Sequence, residues 1–172
     1  MTERGFTLVE LLIVVAVVGV VCAIAVPSML RARISANEGN AIASMRAINS
    51  AEASYASTAG SGFYATALGT LGVTCPGSSQ PFIGADLRLD PSVKNGYRLA
   101  LQASATADPG PGDCNGTPTR SAYYSTAVPL SPGVSGHRAL STNAAGAIFF
   151  DVSGVAPTEA AMAPGGGGQV IQ

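Results

Sequence analysis

Apolar residues dominate the start of the chain. Between Glu10 and Arg31, the twenty residues from Leu11 to Leu30 carry no formal charge. As a helix rising 1.5 Å per residue, such a stretch is about 30 Å long, the thickness of a bilayer's hydrocarbon core. After Pro27 the pattern turns amphipathic. Ile34, Ala41, Met45, Ile48, Ala51 and Tyr55 recur three, four or seven residues apart, and Arg31, Arg33, Glu38, Arg46 and Glu52 are expected on the remaining surface. No strong stop signal comes before Gly60, so the pattern predicts one helix from about Phe6 to Thr58, about 80 Å long. Pro27 is expected to kink this helix rather than end it, and Gly39 to weaken it by about 1 kcal/mol relative to Ala.

Residues 60–94 are rich in Gly, Ser, Thr and Pro and predict a long connection with one short helical turn near Ala65–Leu71. Period-two alternation then sets in, with Tyr97, Leu99, Leu101 and Ala103 on one face and Arg98, Ala100 and Gln102 on the other. Further strands are expected at Ser121–Val128, Arg138–Thr142 and Ala147–Val152, the last two joined by a hairpin loop at Asn143-Ala144-Ala145-Gly146. Four antiparallel strands laid across the amphipathic half of the helix make an α+β head. The stretch 157–172, with Gly165–Gly168 inside it, shows no periodicity and is expected to be a flexible tail.

Only 9 basic and 10 acidic residues are present, 11% of the chain against about 25% in an ordinary soluble domain, while 47% is hydrophobic. This excludes a disordered charged tail protein. A net charge of −1 offers no overall basic field, so nucleic acid is not an expected partner. The 21 Gly and 11 Pro follow no fixed period, which excludes a collagen-like chain.

The apolar stretch admits other readings. Ala23-Ile24-Ala25 supplies the small-x-small site of a secretory signal, yet the n-region is weak, with Arg4 offset by Glu3 and Glu10, and the apolar run is too long. Lipidation at Cys22 would want a small residue before it, where Val21 stands, so Cys22 reads as a small buried apolar side chain. Neither accounts for Glu10, an acidic residue inside the apolar segment that begins at Phe6. A charge there costs about 2.5–3.5 kcal/mol on insertion scales. Two readings of Glu10 stand side by side: a functional group, or a side chain at headgroup level near a helix N-terminus.

Gly5-Phe6-Thr7-Leu8-Val9-Glu10, followed by the apolar run, closely resembles the N-terminus of type IV prepilins and of type II secretion pseudopilins. The resemblance covers about the first thirty residues; beyond them it is one of architecture. It implies a leader of residues 1–5, cleavage by a prepilin peptidase between Gly5 and Phe6, methylation of Phe6, and an assembly role for Glu10 as fifth residue of the mature chain. Gly19 and Pro27 fall where many pilins carry helix-loosening residues. The implied organisation is a transmembrane and assembly half-helix at 6–30, an amphipathic half at 31–58, a head at 59–156 and the tail at 157–172.

Cleavage leaves a cationic amine on Phe6, and methylation keeps it cationic. The resemblance therefore implies a homo-oligomeric helical filament in which that amine pairs with Glu10 of a neighbour. It also implies an assembly platform with its ATPase, and inner-membrane lipids around the subunit before assembly. Counting Arg4 against Arg31 and Arg33 would place the N-terminus outside. The resemblance requires a cytoplasmic N-terminus and an extracytoplasmic filament, and the processing motif is the more specific signal. A pilus subunit is the expected function. A type II secretion pseudopilin and a membrane-anchored binding or enzymatic head are the alternatives.

An exported head favours pairing of Cys75 with Cys114, against two unpaired thiols too far apart to bond. Catalysis, cofactor and metal find little support. His137 is the single histidine and reads as solvated, no C-x-x-C occurs, and Gly165–Gly168 has no Lys or following helix to cradle phosphate. Asp108 and Asp113 flank a Pro-Gly repeat but lack calcium-loop spacing. Tyr123-Tyr124 and Phe149-Phe150 are each expected to give one ring to the core and one to the surface. Spacing alone does not gather Arg88, Lys94, Arg98, Arg120 and Arg138 into a nucleic-acid patch.

Overall fold

The computed structural model describes residues 5–171; residues 1–4 of the expected leader and Gln172 of the expected tail lie outside the described residues. Helix α1 spans Leu8–Thr58 with Pro27 inside it. It begins where Thr7 Oγ1 accepts the Glu10 N–H at 3.2 Å, satisfying one of the orphan donors of a first turn. It ends where Ala59 and Gly60 both donate to the Tyr55 carbonyl at 2.8 Å and Gly62, at φ 91°, closes back onto Ala56. The chain divides into two compact units, Met1–Arg33 and Ile34–Gln172, with different surfaces.

Among its described residues the first unit has no core of its own. Leu12, Val15, Val20 and Ile24 expose between 62% and 73% of their surface. By length and composition the helix can cross a membrane.

The second unit is α+β. Glu38, Ala41, Met45, Ile48, Glu52 and Tyr55 form one buried stripe on α1 at intervals of three and four. Against it packs a six-stranded antiparallel sheet of β1 (Ser92–Lys94), β2 (Tyr97–Ala103), β5 (Tyr123–Pro129), β6 (Ala139–Asn143), β7 (Ile148–Asp151) and β8 (Gln169–Val170), in that spatial order. Tyr97, Leu99 and Leu101 of β2 join Tyr123 and Ala127 of β5 and Leu140 of β6 in a core shared with the helix stripe. Outside the sheet lie α2 (Leu68–Leu71), a 3₁₀ turn at Ala85–Leu87, a ribbon of β3 (Pro109–Gly112) with β4 (Pro118–Arg120), and α3 (Glu159–Met162).

Six strands replace the four expected. The additions, β1 and β8, are the sheet's edges and are three and two residues long, too short for alternation to register. A turn signal was present for β1: Asn95 and Gly96 take φ 48° and 75° between Lys94 and Tyr97, the paired left-handed geometry of a two-residue hairpin.

The segment expected as a flexible tail is tied down over its described residues. Tyr124 donates to the Pro157 carbonyl at 2.7 Å, Ser104 Oγ to Glu159 at 2.7 Å, and Ile171 N–H to the Ile148 carbonyl at 2.8 Å. Met162 is buried against Ser141. As a result β6 is covered on both faces: Ser141 meets Met162, and Thr142 reaches Asn49 of α1 at 3.1 Å. Glu38 and Glu52, expected on the surface, are also buried. Their spacing puts them on the apolar stripe, and each finds a backbone donor there.

Candidate functional site

Gly5 and Phe6 precede α1, and Glu10 lies in its first turn. Phe6 is 70% exposed. A Cβ on Gly5 would meet nothing within 4 Å, and none would at Gly19. Among the described residues, packing within this chain therefore does not demand a glycine at either position, although Gly19 costs an isolated helix about 1 kcal/mol relative to Ala. Glu10 is exposed on the first turn, with its backbone N–H held by Thr7. At the helical rise Gly19 is about 14 Å and Pro27 about 25 Å further along the axis, so α1 does not bring them to Glu10.

Cys75 and Cys114 belong to the second unit and form a disulfide, with Cα atoms 5.5 Å apart across 39 residues of sequence. Closing a loop of that length restricts the unfolded chain by about 4 kcal/mol in the loop-entropy treatment. The loop is held further by Asp113. Its Oδ1 accepts the N–H groups of Asn115 at 2.8 Å and Thr117 at 2.7 Å, and its Oδ2 accepts the Tyr55 hydroxyl at 2.8 Å. Burial opposes the charge on Asp113, but these donors outweigh it and hold the carboxyl below the usual Asp range. Tyr55 is driven the other way, by burial and by Asp113 itself.

Two glutamates on the buried stripe have opposite environments. Burial penalises the Glu38 charge, yet His137 N–H at 2.7 Å, the Arg138 guanidinium at 2.8 Å and Arg138 N–H overcome that penalty and lower its pKa. Arg138 in turn lies over the Phe150 ring, 5.5 Å from its centroid. Glu52 has one donor, Ala65 N–H at 3.0 Å to Oε2, and Oε1 has no hydrogen-bond partner. Burial pushes its pKa up to about 8. Both were legible as stripe positions by spacing alone; charge obscured them. Asn49 was missed altogether: it donates to the Gly146 carbonyl and accepts from Tyr123 and Thr142, joining helix to sheet.

His137 is exposed. Lys94 pairs with Asp86 at 2.5 Å and Arg138 with Glu38 at 2.8 Å, which neutralises two of the five basic residues considered for a nucleic-acid patch. Tyr123 is buried and Tyr124 half-buried beneath Pro157; Phe149 and Phe150 are both half-buried, one beside β8 and one against Arg138. Among the described residues no group of three or more His, Cys, Asp or Glu side chains is placed to hold a metal ion.

Residues 1–26 match the family model described as the prokaryotic N-terminal methylation motif. The type IV major pilin protein PilA of Myxococcus xanthus (strain DK1622) is 39% identical over 53 residues, 31% of this chain and 24% of that protein. The match thus spans about a quarter of the relative's length. No solved structure matches the chain.

Proposed function

We propose that this chain is a structural subunit of a type IV pilus-like filament, cut between Gly5 and Phe6, methylated on Phe6, and polymerised through the N-terminal part of α1. The carrying observation is the methylation motif over residues 1–26 leading into a helix whose apolar side chains are exposed and unpartnered within the subunit. In a bundle of such helices the apolar surface is covered by other copies. The methylated amine of an incoming Phe6 neutralises Glu10 of a neighbour in a low-dielectric core. That pair fixes the axial register, and Gly19 and Pro27 give the helix the freedom to adjust to its neighbours. Before assembly the same stretch sits in the inner membrane with its N-terminus cytoplasmic.

A prepilin peptidase, an assembly platform and its ATPase are the partners this reading requires. The subunit performs no catalysis of its own. The resemblance of the N-terminal region to a major pilin favours a pilus over a secretion pseudofilament.

Filaments sheared from cells and sequenced from their N-termini test the proposal. The expected bulk component begins with methylated Phe6. Glu10→Val is expected to insert in the membrane yet lower filament yield more than about tenfold, since breaking one side of a buried pair costs about 3–5 kcal/mol. A chain that keeps Met1 in the filament, or normal yield from Glu10→Val, refutes the mechanism. Absence of surface filaments together with lost protein export on deletion assigns the chain to type II secretion instead.

A further inference from the structure

We propose that Asn115 is an acceptor for N-linked glycosylation. Asn115-Gly116-Thr117 has the N-x-T pattern with a residue other than proline in the middle, which marks acceptor asparagines in surface loops of exported proteins. Asn37, Asn40, Asn49, Asn95 and Asn143 have no Ser or Thr two residues on. The pattern therefore falls on one loop, and that loop lies at the surface.

Asn115 is exposed at the turn between β3 and β4. Gly116 takes φ 78°, and a Cβ there would meet nothing within 4 Å, so the turn is open beside the acceptor. Below the turn the chain is anchored. The neighbouring Cys114 is disulfide-bonded to Cys75, and Asp113 holds the backbone N–H groups of Asn115 and Thr117. The Asn115 amide nitrogen makes one hydrogen bond, to the Thr74 carbonyl at 3.3 Å, and its second hydrogen is the one replaced on modification. A glycan at this position extends from an anchored base into solvent and removes nothing from the core.

The donor class is a glycan carried on a lipid pyrophosphate. A C–N bond forms between Asn115 Nδ2 and the anomeric carbon, and the bond from that carbon to the pyrophosphate oxygen breaks. The lipid pyrophosphate leaves with the electron pair, the displaced amide proton passes to it or to water, and nothing is oxidised or reduced. A membrane glycosyltransferase acting outside the cytoplasm is required, so the inference rests on the extracytoplasmic head of the proposed function.

The test is mass spectrometry of the protein purified from its own organism, intact under non-reducing conditions and then as the peptide holding Asn115. Wild type is compared with Asn115→Gln, Thr117→Ala and Thr117→Ser. The expected wild-type peptide is heavier by a whole number of sugar residues, an increment lost in Asn115→Gln and Thr117→Ala and restored in Thr117→Ser, which keeps the hydroxyl. An unmodified or merely deamidated Asn115, in a chain that begins at Phe6 and holds the disulfide, overturns the glycan and leaves the filament reading intact. A sugar that persists in Asn115→Gln overturns it as well. A chain with Met1 retained and free thiols at Cys75 and Cys114 overturns the placement of the head and the glycan with it.

Discussion

Glu52 gives the head an unusual dependence on pH. The residue is fully buried, with one hydrogen bond from Ala65 N–H and an unpartnered Oε1, and its carboxyl is pushed up from 4.5 to about 8. Tyr55 from the same helix and Tyr123 from β5 face it, and neither supplies a positive charge. The folded head therefore keeps a proton that the unfolded chain releases near its ordinary Glu value. Between those two pKa values the folded state binds more protons than the unfolded state, so stability falls as pH rises. The contribution is complete below about pH 4.5, declines through neutrality and levels off above about pH 8. At 1.36 kcal/mol per pKa unit, the total loss is about 4–5 kcal/mol, with about 3 kcal/mol already gone at pH 7.

Glu52→Gln removes this proton linkage while keeping an acceptor for Ala65 N–H. The amide introduces an unsatisfied buried NH₂ group at a cost of about 1–3 kcal/mol. Set against a loss of about 4–5 kcal/mol, the variant is expected to be about 1–4 kcal/mol more stable than wild type above pH 8. Below pH 5, where wild-type Glu52 is protonated, it is expected to be about 1–3 kcal/mol less stable. Hydrogen exchange of the β2 and β5 amides, measured on the full chain in detergent from pH 5 to 8.5, reads the opening free energy of the head directly. A wild-type profile that is flat over that range, or a Glu52→Gln profile parallel to it, refutes the reasoning. The acidic side is separable, because Glu38 and Asp113 have lowered pKa values and act only below the ordinary carboxylate range.

The remaining expectations are more local. Arg138→Met is expected to cost about 1–3 kcal/mol by leaving the Glu38 charge with backbone donors alone, and to shift acid unfolding to higher pH; a pH titration of head unfolding checks both. Cys75→Ser is expected to lower head stability by about 4 kcal/mol, read by denaturant unfolding under non-reducing conditions and matched by reduction of the wild type. Asn49→Ala is expected to cost about 1–3 kcal/mol by leaving the Tyr123 and Thr142 hydroxyls without that partner, measured as faster exchange in β5 and β6.

Local patterns carry much of the architecture. The long helix, the β2 alternation and the hairpin at Asn143–Gly146 follow from spacing and turn chemistry, because each depends on neighbours in sequence. The edge strands were less legible: β8 pairs Val170 with Phe149, a partner distant in sequence, and its two residues carry no pattern of their own. The contacts of residues 157–171 are hidden from the sequence for the same reason. The order of this stretch comes from Tyr124, Ser104 and Ile148, and nothing within 157–171 announces those contacts.

The candidate site divides along the same line. Gly5, Phe6 and Glu10 need no tertiary structure to be noticed, since an acidic residue in an apolar run is costly wherever the chain goes. Sequence alone determined that this chain has an apolar membrane-length helix and a processing motif at its head. Tertiary structure decided that Glu38 gains an arginine partner while Glu52 does not, and that Asp113 braces the loop bearing Asn115. The physical reason is distance in sequence. Periodicity reports which face a side chain takes, but the donors and charges it meets there come from residues 13 to 100 positions away.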